Sequence, residues 1–437
     1  MKDWLRTLTD RQISWRQIVC IFSVSLTVYL SNGRLISEID STPNSILPIA
    51  IIVHHSLTFD AFQPSSSSDR PGIPGLAATP HGLVNVYPIA TGLMATPIYF
   101  PVVEYKILFD RPSPSEWVQF GIHFQKFAAA IIAALTVVMF RSLCAELGFS
   151  NLLSASLTLW FALGSEIFST GAQALWQHGP GTLAIICAVR SCARLQRENH
   201  PADALYLSMW CGLAVAIRPS NLVVIGPFAV LAFLYRPRLL LPLTVPAVGI
   251  LTLVMWYNAY YFSESLGGYG FLRCCFSTAN FVDGLEGLMF SPSRGLLFYF
   301  PAAFAALALV LVRPTILKEP VVSGSLSAII LSIGLFSNFE YWWAGNSFGP
   351  RYLSEIEPLF LIIIGLAWML LKPRHRLAQV LFGVIMPYSI AVQAIGAYSV
   401  AASRWNDWPL AVDSERVWNF PDNQILRGLK LTRPAPP

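Results

Sequence analysis

Apolar runs close to bilayer length follow one another along almost the whole chain, and short basic clusters separate them. The runs are Gln17 to Leu30, Phe120 to Phe140, Leu152 to Phe168, Gly179 to Val189, Ala204 to Ile217, Leu222 to Tyr235, Leu239 to Tyr257, Leu296 to Val312, Val321 to Ser337, Tyr352 to Leu371 and Leu377 to Val400. Over 437 residues, 54% are hydrophobic and 12% charged, with a mean hydropathy of +0.55, more apolar than a soluble core can absorb. The sequence therefore specifies an all-α polytopic membrane protein. Its net charge of +5 carries no nucleic-acid signal, because the basic residues sit between spans, where they mark topology.

Orientation follows from those basic residues. Lys2, Arg6, Arg11 and Arg16 precede the first run and no small-residue cleavage site follows it, so the segment reads as an uncleaved signal anchor with its N-terminus in the cytoplasm. Val84 to Val103 is long enough to span but carries Pro88, Pro97 and Pro101. If it does not cross, the clusters at Arg141, at Arg190, Arg194 and Arg197, at Arg236 and Arg238, at Arg313 and Lys318, and at Lys372, Arg374 and Arg376 all face the cytoplasm. If it crosses, all of them flip outward. The positive-inside rule selects an interfacial or re-entrant element. The same rule splits Ala204 to Tyr235 into two short helices turning at Arg218, Pro219, Ser220 and Asn221.

The result is about eleven spans in the inner (plasma) membrane with the C-terminus outside. Residues 1–400 form the transmembrane unit, 31–119 its long first external loop with interfacial helices, and 401–437 an external tail rich in tryptophan. Gln63 to Gly75 is a polar surface loop. No repeat of fixed period is present, and the seven cysteines, without a metal-type spacing, read as small core residues.

Two carboxylates, Glu38 and Asp40, fall within about ten residues of a span end, where ionisable groups are functional candidates. Asp40 either acts as a base or caps the helix that Pro43 opens, and Glu38 either assists or is solvated. Other polar motifs precede helices that run back inward: Trp176, Gln177, His178 and Gly179; Ser291 to Gly295 with Arg294; and Ser347 to Tyr352 with Arg351. Helix N-termini with an added guanidinium make anion sites, so Arg351 and Arg294 are candidate phosphate ligands. They could equally anchor spans to headgroups. Arg218, at its hairpin turn, needs an anionic partner, either Asp40 or a lipid phosphate. His54 and His55 read as solvated interfacial residues. Trp343, beside Trp342, reads as interfacial belt or sugar platform.

This layout resembles the polytopic glycosyltransferases of the GT-C superfamily, in particular bacterial relatives of dolichyl-phosphate-mannose protein mannosyltransferases and lipid A aminoarabinose transferase. The resemblance is carried by Glu38-Ile-Asp40 in the first external loop, the interfacial segments after it and the Arg218-Pro219 turn, over the chain to about Val400. It implies a GT-C-like bundle and a polyprenyl-phosphate sugar donor. It also implies that Asp40 acts at the reaction centre as base or as ligand of a divalent cation. The single residue between the two acids departs from the adjacent acids of many relatives, and there is no large soluble C-terminal domain. The expectation is inverting sugar transfer to a lipid, glycan or protein acceptor at the outer face. Asp40 and Glu38 would be catalytic, Arg351, Arg294 and Arg218 would hold phosphate, and His178, Gln177, Trp176, Trp343 and Tyr352 would line the substrate site. The rival is a transporter or flippase of an amphipathic anion, which needs ionisable residues along a through path.

Overall fold

Ser14 and Gln17 close a capping box in which each side chain takes the other's backbone N–H, and this starts the first helix, α1 (Trp15–Leu30). The computed structural model describes residues 13–62, 72–198, 200–371, 375–408, 410 and 412–431. Lys2, Arg6, Arg11, Lys372 and Arg374 of the expected basic clusters, and most of the Gln63 to Gly75 loop, lie outside the described residues. Val24 on α1 is exposed, whereas Tyr29 is buried and donates to the Ala162 carbonyl at 2.9 Å.

The long loop leaves and re-enters at one end of the bundle. Asn32 Nδ2 and Lys126 Nζ both donate to Gln173 Oε1, at 2.7 and 2.6 Å. Between them come α2 (Thr42–His54), the hairpin β1 (Leu76–Thr79) with β2 (Gly82–Asn85), and α3 (Ala90–Phe109). Helix α4 (Pro114–Glu146) then runs 33 residues, roughly 50 Å at 1.5 Å per residue and well beyond bilayer need. Its first turns pack on α2 so closely that a Cβ at Gly121 would come within 2.9 Å of the Ser45 carbonyl. Its later turns pack on α1 and the bundle. The Val84 to Val103 segment is thus the end of a strand plus a helix lying chiefly along α2, with Phe100, Tyr105, Leu108 and Phe109 exposed. The chain is mostly helical, as the all-α expectation has it, and carries one short antiparallel hairpin that pairs Leu76 with Asn85 through Thr79 with Gly82.

After α5 (Asn151–Gly164), helix α6 (His178–Glu198) threads the core from one end of the bundle to the other. The short helices α7 (Pro201–Ile217) and α8 (Leu222–Tyr235) form the expected pair. Asn221 Nδ2 bonds the Ala214 carbonyl at the turn, and Arg236 bonds the Leu195 and Gln196 carbonyls at the far end. There follow α9 (Leu240–Phe262), α10 (Phe281–Phe290), α11 (Leu296–Tyr299), α12 (Ala302–Val312), α13 (Pro320–Ser337), α14 (Glu357–Leu371), α15 (His375–Val380), α16 (Met386–Tyr398), α17 (Val400–Arg404) and α18 (Gln424–Gly428). Helix α14 is apolar all round and central, with Leu359 to Ile364 fully buried. Five helical segments, Pro114–Glu146, Pro237–Phe262, Pro320–Ser337, Arg351–Leu370 and Leu381–Tyr398, are long and apolar enough to cross a membrane. This gives the chain the character of a membrane protein.

The segment after residue 400 is not a separate tail. Trp405 is buried with its indole N–H on the Asp422 carbonyl, Arg427 grips Asp422 at 2.6 and 2.7 Å, and Gln424, the first residue of α18, is fully buried. Of its tryptophans, Trp408 and Trp418 remain partly on the surface.

Candidate functional site

The Glu38 to Thr42 turn is locked by its own backbone. The Glu38 carbonyl accepts from Ser41 N and Thr42 N, and Ser41 Oγ returns to Glu38 N. Asn44 Nδ2 donates to the Asp40 carbonyl and to the Leu175 carbonyl, while Asn85 Nδ2 donates to Asn44 Oδ1, so β2 and the residues before α6 hold the turn in place. Asp40 does not cap α2, whose cap position is Ser41 without a side-chain bond. Its carboxylate points elsewhere.

It meets Arg351. Asp40 Oδ2 accepts from Arg351 Nη1 at 3.0 Å, joining positions 311 apart in sequence. Arg351 Nη2 donates to the Ala344 carbonyl at 2.9 Å, and the guanidinium lies 4.5 Å over the Trp176 ring. Ala344, Gly345 and Gly349 all have positive φ, which coils the 344–349 loop tightly enough to bring that carbonyl round. Two polar atoms here are buried without a partner: Asp40 Oδ1 and Arg351 Nε. An acceptor lone pair and a cationic N–H donor are thus left unspent on one ion pair.

Behind Arg351 lies a second network. Glu355 Oε1 accepts from Arg218 Nη1 at 3.0 Å and lies 3.0 Å from His178 Nδ1, and Ser354 Oγ reaches both Glu355 Oε2 and His178 Nδ1 at 3.1 Å. The anionic partner of Arg218 is therefore Glu355, a correction to the two partners expected, Asp40 and a lipid phosphate. Its guanidinium also lies about 5 Å from the rings of Phe336 and Tyr352, themselves stacked at 4.9 Å. Gln177 Oε1 accepts from Tyr269, and Gln177 Nε2 is buried without a partner. Trp176 serves as the floor under Arg351, with its N–H on the Ile36 carbonyl at 3.2 Å.

Arg294 lies at the same end but is fully spent. Nε donates to the Trp343 carbonyl, Nη1 to the Ser293 carbonyl and Gln424 Oε1, and Nη2 to the Gly345 carbonyl and Asn406 Oδ1. A guanidinium has five N–H donors, so none is left for a phosphate, and the residue is 0% exposed. Trp343 contributes its carbonyl to this knot, while its ring pairs T-shaped with Tyr341 and Trp342. The expected role of Arg294 as phosphate ligand is corrected to a structural one.

Glu38 is half-buried beside a cavity of about 50 Å³ walled by Ile36, Trp176, Asn346 and Phe348, with space for water but not for a sugar. Burial raises its carboxyl above the ordinary 4.5, the Asp40 charge adds to the rise, and Asn346 and Arg351 oppose it. The folded chain keeps this proton to higher pH than the unfolded one, so stability falls as pH rises from 4.5 through the raised folded value. Glu38→Gln cannot ionise. Its melting temperature should match the wild type at the acid end and exceed it above that window. Parallel melting curves across the window would show the Glu38 proton to be irrelevant.

Sequence reading missed Glu355, Ser354 and Tyr269. Glu355 carried a signal, an acid four places after Arg351 at the mouth of an apolar run. Glu166 and Glu357 are buried side by side, with Glu166 N donating to Glu357 Oε2 at 2.8 Å. Among the described residues no group of three or more His, Cys, Asp or Glu side chains is arranged for a metal. No protein-family model, no curated protein and no solved structure matches the chain.

Proposed function

We propose that the chain is a GT-C-like membrane glycosyltransferase that moves a sugar from a polyprenyl-phosphate donor to a lipid, glycan or protein hydroxyl. In this reading it makes about eleven crossings of the inner membrane, with its N-terminus cytoplasmic and the Asp40 end extracytoplasmic. The observation that carries the reading is the Asp40–Arg351 pair with its two unspent atoms.

Asp40 Oδ1 takes the proton of the acceptor hydroxyl as its oxygen attacks the anomeric carbon. The bond from that carbon to the phosphate oxygen breaks on the opposite face, and the configuration inverts. The departing polyprenyl phosphate carries the negative charge, which Arg351 Nε meets, with Arg218 behind it. Glu355 and His178 hold Arg218 in place. Asn346 and Tyr87 neighbour the pair, and loop 341–349 must shift to admit a sugar beyond the small cavity at Glu38.

The distribution of charge supports transfer over the rival transporter. Among the described residues the buried charged side chains fall in two groups: Glu166, Arg218, Arg294, Arg351, Glu355, Glu357 and Asp422 in one, Arg141 and Asp203 in the other. A through path needs them between. The test is purified wild-type protein in lipid nanodiscs, incubated with radiolabelled polyprenyl-phosphate sugars and membrane extract. Label should pass into an acceptor fraction. Movement of intact labelled lipid across a bilayer without any transfer would favour the transporter and end this proposal.

A further inference from the structure

The far end of α6 carries a separate site. His178 and Glu198, the two ends of this 21-residue helix, are roughly 30 Å apart. Near Glu198 a cavity of about 410 Å³ opens between α4, α6 and α7. That volume falls within the range of small-molecule sites, roughly 300–1,000 Å³. Met139, Tyr206, Met209 and Trp210 form its apolar wall, and Tyr206 at the rim is 53% exposed.

The charged wall is unevenly paired. Arg194 Nε lies 3.0 Å from Asp203 Oδ1, and Arg197 Nη2 lies 2.6 Å from Glu146 Oε1. Among the described residues Arg190 makes no hydrogen bond, only a long ion pair from Nη2 to Glu146 Oε2 at 3.9 Å, and its Nε is buried without a partner. Its side chain is 27% exposed to the cavity region. Asp203 Oδ2 is buried without a partner among the described residues, whereas Glu198, on the same wall, is already paired with both Arg194 and Arg197. The cavity thus offers one guanidinium held only by a long ion pair and one unspent carboxylate oxygen above an aromatic and thioether wall.

A bare anion would gain Arg190 but face the unspent oxygen of Asp203. A ligand with a phosphate and an amine a few bonds apart satisfies both, and acyl chains suit the wall below. We propose that this cavity seats the headgroup of an amine-bearing zwitterionic phospholipid from the leaflet opposite the candidate active site. The phosphate lies on Arg190 and the amine lies toward Asp203 Oδ2. Arg190 phosphate contacts are charge-assisted, which makes the guanidinium the main anchor.

The experiment is native mass spectrometry of the delipidated full chain titrated with phosphatidylethanolamine, phosphatidylglycerol and inorganic phosphate in parallel. Wild type should hold phosphatidylethanolamine about tenfold more tightly than phosphatidylglycerol, the discrimination expected of one satisfied against one unsatisfied carboxylate. Arg190→Gln should weaken it by at least about tenfold with an unchanged melting curve, and Arg190→Lys should restore much of the loss. Equal binding of the two lipids, equal binding by Arg190→Gln, or full displacement by inorganic phosphate would each overturn the proposal. The wild-type lipid comparison decides the matter even if Arg190→Gln fails to fold.

Discussion

Asp40→Asn should reduce sugar transfer by about 10²- to 10⁴-fold, the usual contribution of a positioned general base, while the protein stays folded and still binds donor. Asparagine keeps an oxygen for Arg351 Nη1, now 3.0 Å from Asp40 Oδ2, so the pairing that places the two segments is largely preserved. What disappears is the capacity of Oδ1 to take a proton. The readout is single-turnover transfer from radiolabelled donor, set beside donor affinity measured in the absence of acceptor. A role limited to orienting Arg351 predicts a smaller loss, visible in donor binding as well. Transfer close to wild type removes Asp40 from the chemistry altogether.

Arg294→Leu should destabilise the fold by about 2–5 kcal/mol, since each buried acceptor left without a donor costs about 1–3 kcal/mol. Five acceptors lose this donor at once: the carbonyls of Trp343, Ser293 and Gly345, and the side chains of Gln424 and Asn406. The Gly345 carbonyl, Gln424 Oε1 and Asn406 Oδ1 keep a second donor, so the cost falls chiefly on the carbonyls of Trp343 and Ser293. Against a typical total of 5–15 kcal/mol, this loss is severe. It should appear as a large drop in the melting temperature of the detergent-solubilised protein. A variant with an unshifted melting temperature and weakened donor affinity would return Arg294 to the phosphate site.

Periodicity and charge made the membrane-type architecture legible. Apolar length marks the helices, and the arginines between them predict that the loop from Ser31 to Gln119 returns to its own side; in the fold, Asn32 at its start and Lys126 just past its end share one Gln173 oxygen. The turn at Arg218 was likewise readable, because a polar Arg-Pro-Ser-Asn break interrupts an otherwise apolar stretch. Pairings were not. Asp40 and Arg351 were both singled out, but nothing local specifies that they meet, since side-chain partners across 311 residues are set by packing. Arg294 and Arg351 look alike in sequence, each beside glycine and proline near a helix start. One ends with every donor engaged and the other with a donor to spare. The difference lies in Gln424 and Asn406, which fold back from beyond the last apolar run. Glu355 was passed over because a carboxylate inside an apolar run reads as a helix-end charge unless its cationic partner is known.

That returning segment also sets the order in which the molecule can mature. Gln424 and Asn406 clasp Arg294, Arg294 clasps the carbonyls on either side of Ala344, and the Ala344 carbonyl steadies the guanidinium that faces Asp40. A nascent chain inserted helix by helix therefore lacks this clasp until its final stretch has been translated and released. Truncated products would insert normally yet stay inert, a built-in safeguard against half-made protein acting on its substrates.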